Sequence, residues 1–336
     1  MDTATLAATD RGDWHAQLRD AIQQPQELLN LLGLTATDVG LLEEACHDFP
    51  MKVPRAFVDR MQPGDPHDPL LRQVLASAAE LASPADYSRD PVGETGAAIQ
   101  RPGIIHKYTG RALLIVTAGC AVNCRYCFRR HFPYGDNQNS RMAWREALDY
   151  IRRDPTIEEV IFSGGDPLIA TDAQLADLTD LVGAIAHVKR LRIHSRLPIV
   201  LPDRVTDALV QATTHPSLQT VMVIHANHAA EIDQTVAAAI ARLRDAGVTS
   251  LNQAVLLRGV NDSVAAQADL AQALFEAGVV PYYLHLLDKV QGAAHFNVPE
   301  TEAVELMHDL SATLPGYLVP RLVTEQAGAP AKTRLY

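Results

Sequence analysis

The sequence predicts an α/β fold: a partial (β/α)6 barrel with an N-terminal helical extension and a C-terminal tail. Three observations carry this. From residue 112 onward, six apolar strand-like runs alternate with helical periodicity. The runs show little apolar–polar alternation, as in a parallel sheet covered by helices. No glycine-rich dinucleotide turn follows the first run, which favours a barrel over a Rossmann sheet.

Residues 1–82 carry no strand pattern. Short helices are predicted over DWHAQLRDAI, PQELLNLLGL, TDVGLLEEAC and DPLLRQVLASAAELA. Asp and Thr stand at their cap positions, where a side-chain oxygen accepts from unpaired N–H groups. Residues 83–110 read as linker and barrel entrance, because SPADYSRDPVGETGAAIQRPG (from about Ser83 to Gly103) is rich in Pro, Gly and Ser. The barrel is expected over 111–317. Its strands are ALLIVT (112–117), EVIFSG (159–164), RLRIHS (190–195), TVMVIHA (220–226), LNQAVLL (251–257) and VVPYYLHLL (279–287). Helical patterns such as DAQLADLTDLVGAIAH and AAEIDQTVAAAIARLRDAG lie between them. Residues 318–336 form the tail, which ends in QAGAPAKTRLY.

The 336 residues are 47% hydrophobic and 21% charged, enough to bury a sizeable core. The formal net charge of −11 argues against broad nucleic-acid or membrane binding, although RYCFRRH is a local basic cluster. No basic start followed by an apolar run opens the chain, and no apolar stretch reaches membrane-spanning length. A cytoplasmic location is expected. Four cysteines in such a chain favour metal binding or catalysis over a disulfide framework.

In barrels of this type the site lies at the C-terminal ends of the strands. The first strand runs into TAGCAVNCRYC and the second into SGGDP. The third ends at His194, Ser195 and Arg196, and the fourth at His225. The fifth contains Asn252 and Gln253 and leads to RGVND; the sixth ends at His285 and Asp288. Polar residues therefore converge on one mouth from every strand. Three of the four cysteines are there: Cys120, Cys124 and Cys127, spaced C-x3-C-x2-C. Structural zinc normally takes four ligands. Cys46 lies in a helical stretch across a domain boundary and is expected to be a small buried side chain. An iron–sulfur cubane on three thiolates leaves one iron open to a second molecule. On the residues alone, a zinc site or buried free thiols remain the alternatives.

The loop CAVNCRYC, directly after the first barrel strand, resembles the cluster loop of radical S-adenosylmethionine (SAM) enzymes, a family built on partial barrels. HKYTGRALLIVTAGCAVNCRYCFRRHFPYG, SGGDPL, LNQAVLLRGVND, PYYLHLLDKVQGAAHF and the final KT resemble lysine 2,3-aminomutases. The short length, VPRAFVDRM, RIHSRLPIV and LHLLDKVQGAAHF are most similar to the bacterial EpmB branch, which makes β-lysine for modification of elongation factor P. Longer free-lysine aminomutases continue into a further C-terminal segment, which this chain lacks after KT.

The resemblance implies a [4Fe–4S] cluster on Cys120, Cys124 and Cys127, with the open iron chelated by SAM, and pyridoxal 5′-phosphate (PLP) bound as a Schiff base to Lys332. It implies that SGGDP (Ser163, Gly164, Gly165, Asp166) lies along the methionine amine. Asp166 then accepts from the ammonium or only caps the next turn. His225 and Gln253 match further SAM contacts. Lys107, Tyr108 and Arg111 match the segment that holds the PLP phosphate. Arg129 matches the position that binds the substrate carboxylate, where a forked donor suits a planar acceptor. Asp288 and Glu325 match the partners of the distal ammonium, a charge too costly to bury alone. Free-lysine enzymes have Asp where Glu325 stands, so the reach differs. Read alone, Lys332 would be a solvated tail lysine, and the others ordinary loop or strand-end residues.

The implied reaction moves the amino group of L-lysine from C2 to C3. It needs an electron donor such as flavodoxin or ferredoxin, and links the product to elongation factor P and its ligase. A homo-oligomer stays open. The alternatives are a catabolic aminomutase for lysine or another amino acid, or a radical SAM enzyme without PLP.

Overall fold

The computed structural model describes residues 13–134, apart from 43, 83, 96, 97 and 102, and residues 141–336. Ser83, where the predicted linker begins, lies outside the described residues, as do residues 1–12.

The N-terminal region is a run of short helices: Trp14–Arg19, Pro25–Leu32, Ala36–Val39, Glu44–His47, Arg55–Val58 and Pro69–Arg72. The predicted caps form. Asp13 accepts from the N–H groups of His15 and Ala16. Thr35 and Asp38 make a reciprocal capping box. Asp68 accepts from Leu70 and Leu71. The single helix expected over DPLLRQVLASAAELA is instead two pieces, Pro69–Arg72 and a 3-10 turn at Ala78–Leu81. The break lets Glu80 turn inward onto Arg125, a tertiary contact that outweighs local helix propensity.

Ten strands form one open sheet in sequence order: β1 (Ile99–Arg101), β2 (Ile104–Tyr108), β3 (Arg111–Thr117), β4 (Glu159–Gly164), β5 (Arg190–Ser195), β6 (Gln219–Ile224), β7 (Thr249–Val255), β8 (Val280–His285), β9 (Arg321–Thr324) and β10 (Thr333–Arg334). From β3 to β9 every neighbouring pair is parallel. The flanking pairs β1–β2, β2–β3 and β9–β10 are antiparallel. This is a partial barrel, and all six predicted strands appear in it. Three features differ from the expectation. The presumed linker and entrance carry β1 and β2. The presumed tail supplies a seventh parallel strand, β9. The last residues are pinned to β9 as β10, with Tyr336 Oη donating to Ser311 Oγ at 2.8 Å.

Parallel neighbours need crossovers, and helices such as Asp172–Gly183, Gln234–Asp245, Val264–Glu276 and Glu300–Thr313 supply them. Ala112, Leu114, Val160, Phe162, Leu191, Ile193, Met222, Ile224, Ala254, Leu284 and Leu322 all join the main apolar core under these helices. Side chains alternate along a strand. Ser163, His194, Gln253 and His285 therefore point to the other, concave face, where more polar residues stand than a fully covered sheet would allow.

Candidate active site at the barrel mouth

The cysteine loop leaves β3 and returns across the top of the sheet. The SGGDP segment holds it from below. Gly165 donates to Thr117 O at 2.8 Å and Asp166 to Gly119 O at 2.7 Å. A Cβ on Gly164 would lie 2.3 Å from Thr117 O, and one on Gly165 2.3 Å from Gly119 O. Gly164 also has φ +131, open to glycine at little cost. Both glycines are thus required by the loop's own backbone. The Asp166 side chain is a structural cap: it accepts from Leu168 N, Ser195 Oγ, Arg196 N and Leu197 N at 2.7–3.1 Å. Those four donors fill a carboxylate's acceptor sites, as the capping alternative for Asp166 expects.

From behind, the N-terminal region grips the same loop. Lys52 Nζ donates to Cys120 O at 3.0 Å, Asn123 N to Lys52 O at 3.0 Å, and Arg125 N to Gln73 O at 2.9 Å. The Arg125 side chain is fully buried. It makes a two-pronged pair with Glu80 at 2.7 and 2.6 Å and reaches Phe49 O and Ala45 O.

Cys120, Cys124 and Cys127 form no disulfide and are half-buried; Cys46, expected to be buried, is half-buried as well. Burial and the charges of Cys127, Asp166 and Cys124 push the Cys120 thiol well above its usual range, against Lys52. Burial and Cys124 push Cys127 up to about 11. Crowded, buried thiols of this kind ionise only when a cation takes their charge. Among the described residues no three His, Cys, Asp or Glu side chains converge on a single ion position. A cubane takes one thiolate per iron, so its ligands surround a larger space. The donor set fits the cluster.

The second half of the mouth joins the two edges of the sheet. The register Thr324–Thr333 puts Lys332 across from Glu325, and Lys332 Nζ donates to Glu325 Oε2 at 2.6 Å. Lys107, at the end of β2, pairs with Glu325 Oε1 and donates to Val92 O at 2.8 Å. Lys107 is therefore engaged with a carboxylate here. The two lysines hold Glu325 down to about 2, overcoming its burial. Burial and the Glu325 charge raise Asp288 to about 7, against Lys332. Arg111 lies over the Tyr108 ring, 4.8 Å from its centroid.

Two buried polar atoms around this centre, His194 Nε2 and His285 Nε2, have no hydrogen-bond partner among the described residues, and the Tyr108 phenol lies beside Glu325. Burial, with the Lys332 charge among its neighbours, holds both histidines well below the usual range. Neutral imidazoles within electrostatic reach of Lys332, and a phenol beside Glu325, suit a polar aromatic group such as PLP. His225 and Gln253 contact each other at 3.0 Å, and the rings of His194 and His225 are 5.9 Å apart. Burial, Arg196 and Arg129 lower His225 to about 3, so its ring is neutral.

Arg129 is not free. Its Nε and Nη2 form a fork on Glu94 at 2.6 and 2.9 Å, and Nη1 donates to Ser163 Oγ and Gly164 O. The structure thus brings Cys120, Cys124, Cys127, Arg129, Ser163, Gly164 and Gly165 together on one side. Lys107, Tyr108, Asp288, Glu325 and Lys332 gather on the other. Glu94 is a site residue that no sequence signal marks, since it sits in the Pro/Gly-rich stretch. His194 and His285 were visible as strand-end residues, but only the fold turns them to Lys332.

The chain matches the family model described as Radical SAM superfamily over residues 114–271. It is 52% identical over 332 residues to the L-lysine 2,3-aminomutase of Escherichia coli (strain K12), covering 98% of this chain and 96% of that one. It is 48% identical to the L-lysine 2,3-aminomutase of Haemophilus influenzae, covering 96% and 95%. To that of Clostridium subterminale it is 36% identical, covering 98% and 79%. No helix among the described residues is long and apolar enough to cross a membrane.

Proposed function

The chain belongs to the lysine 2,3-aminomutase family of radical SAM isomerases, and from that premise we propose that it converts L-lysine to β-lysine with a [4Fe–4S] cluster, SAM and PLP. The observation that carries the reading is the placement of Lys332. A lysine near the chain end is drawn onto Glu325, within electrostatic reach of His194, His285 and Asp288.

When bound, the cluster with SAM supplies a carbon-centred radical, and PLP supplies the carbonyl that carries the migrating amino group. The protein's part is to position and to exclude. Cys120, Cys124 and Cys127 would hold the cluster. The backbone of Ser163 to Gly165, with His225 and Gln253, would line the SAM side. Asp166 acts one step back, fixing the loop to β5. Lys332 would hold PLP through Nζ; Tyr108, His194 and His285 offer it polar contacts, and Arg111 the charge for its phosphate. Arg129 presents a fork that already holds a carboxylate, that of Glu94, so a substrate carboxylate must displace Glu94 to use it. Asp288 and Glu325 favour a cationic side chain over an anionic one. The crowded mouth keeps water and stray hydrogen donors from the reacting carbon.

The further steps belong to the same proposal: a flavodoxin or ferredoxin as reductant, and delivery of β-lysine to a ligase acting on elongation factor P. They rest on the resemblance to the EpmB branch. The test is anaerobic reconstitution with iron, sulfide, PLP, SAM and lysine, with amino acids resolved by chromatography. β-Lysine should accumulate in the native protein. Lys332→Ala should keep its iron but lose both product and the PLP absorption band. Cleavage of SAM without amino migration would refute the aminomutase reading.

A further inference from the structure

A largely buried polar network lies behind the cysteine loop, apart from the substrate side. Gln73, Arg196, Asn227 and Glu231 are all buried in it, with Gln73 and Glu231 at 0% exposure. Its centre is the Arg196 guanidinium. Nη1 donates to Cys124 Sγ at 2.7 Å and to Tyr126 Oη at 2.6 Å; Nη2 donates to Gln73 Oε1 at 2.7 Å and to Glu231 Oε2 at 3.1 Å. The backbone N–H of Arg196 is fixed by Asp166 at 2.8 Å. Glu231 is fixed in turn by Gln73 Nε2 and by the N–H groups of Asn227 and His228. Asn227 Nδ2 closes the network onto Gln73 and Tyr126. Four parts of the chain therefore set one guanidinium: the N-terminal region, the cysteine loop, the end of β5 and the end of β6.

The three cysteines are not equivalent in this setting. Among the described residues, Cys124 is the one whose sulfur receives a charged donor. We propose that Arg196 is a positioning residue for the electron-transfer step: it donates a charge-assisted hydrogen bond to the Cys124 sulfur and raises the reduction potential of the cluster. This rests on the cluster reading of the proposed function. The physical basis is charge. Reduction adds an electron to the cluster and its thiolates, and a buried cation bonded to one sulfur stabilises that form more than the oxidised one. The guanidinium itself is buried, so its charge acts on the partly buried Cys124 sulfur at lower dielectric than in water. Glu231 tempers the cation without cancelling it, because its other oxygen is taken up by N–H donors.

The experiment compares wild type, Arg196→Lys and Arg196→Met after anaerobic reconstitution. Iron and sulfide are counted, and the midpoint potential is read by an EPR-monitored redox titration without substrate. Arg196→Met should load its cluster and shift to a more negative potential by at least tenfold in the reduction equilibrium, which is 59 mV for a one-electron couple. Arg196→Lys keeps the charge and loses the fork, so it should fall between the two. If Arg196→Met does not hold a cluster, Arg196→Lys decides: a negative shift supports the proposal. A wild-type potential in the loaded variants would overturn it while leaving the cluster reading intact. Wild type that takes up no cluster would overturn both.

Discussion

Asp288 offers a test in which the sign and size of a pH effect follow from the fold. Burial and the neighbouring Glu325 charge lift its carboxyl from 3.8 to about 7. Lys332 and Lys107 favour the anion but do not outweigh burial and the Glu325 charge. Three units correspond to about 4 kcal/mol of preference for the neutral acid in the folded protein, at about 1.4 kcal/mol per unit. For stability, a raised acid helps the fold below its unfolded value near 4 and loses that contribution as pH rises through 7. For binding the sign reverses, because a substrate ammonium needs the anion. Between pH 8 and pH 6 the fraction ionised falls about tenfold, and lysine affinity should fall with it. The assay is calorimetric titration of the PLP-loaded protein with lysine across that range. Native protein should weaken about tenfold toward pH 6. Asp288→Asn should bind about 2–5 kcal/mol more weakly at pH 8, as when a buried ion pair loses one partner, and show little dependence on pH. Native affinity that is flat or stronger at pH 6, or an equal slope in Asp288→Asn, would refute the reasoning.

Other consequences are as direct. Arg125→Met leaves the buried Glu80 carboxylate with Arg130 at 3.2 and 3.3 Å and the Ser77 N–H at 3.4 Å, so urea unfolding should show a loss of about 3–5 kcal/mol; a loss under about 1 kcal/mol would place the pair with exposed ones. Gly165→Ala forces a Cβ against the carbonyls of Gly119 and Ala118 at 2.3 and 2.7 Å. It should cost about 1–3 kcal/mol and lower the iron taken up per chain, and full iron content would contradict this. Glu94→Gln weakens the occupant of the Arg129 fork, so lysine should bind roughly tenfold more tightly, about 1.4 kcal/mol. A weaker complex would mean that Glu94 supports the substrate and does not compete with it.

How much of this was legible beforehand depended on sequence distance. The six parallel strands were plain because each is a local apolar run between helical periods, and their polar ends marked the mouth. The cysteine spacing was equally local. β9 was missed because a four-residue strand beside Pro320 carries too little pattern. The site was harder. The partner of Lys107 is Glu325, 218 residues away, and no local pattern announces it. The Arg129 fork is held by Glu94, from a stretch that reads as linker.

Composition, strand order and the thiol motif were set by the chain alone, because helix periodicity, strand alternation and ligand spacing involve near neighbours. The pairing of charges was decided only in three dimensions. Arg196 could have served any acceptor at the mouth; folding placed it on Cys124 because Gln73, Glu231 and Tyr126 close around it from separate elements. A buried charge takes whichever partner the packed chain brings within reach, since leaving it unpaired costs more than nearly any local preference can return.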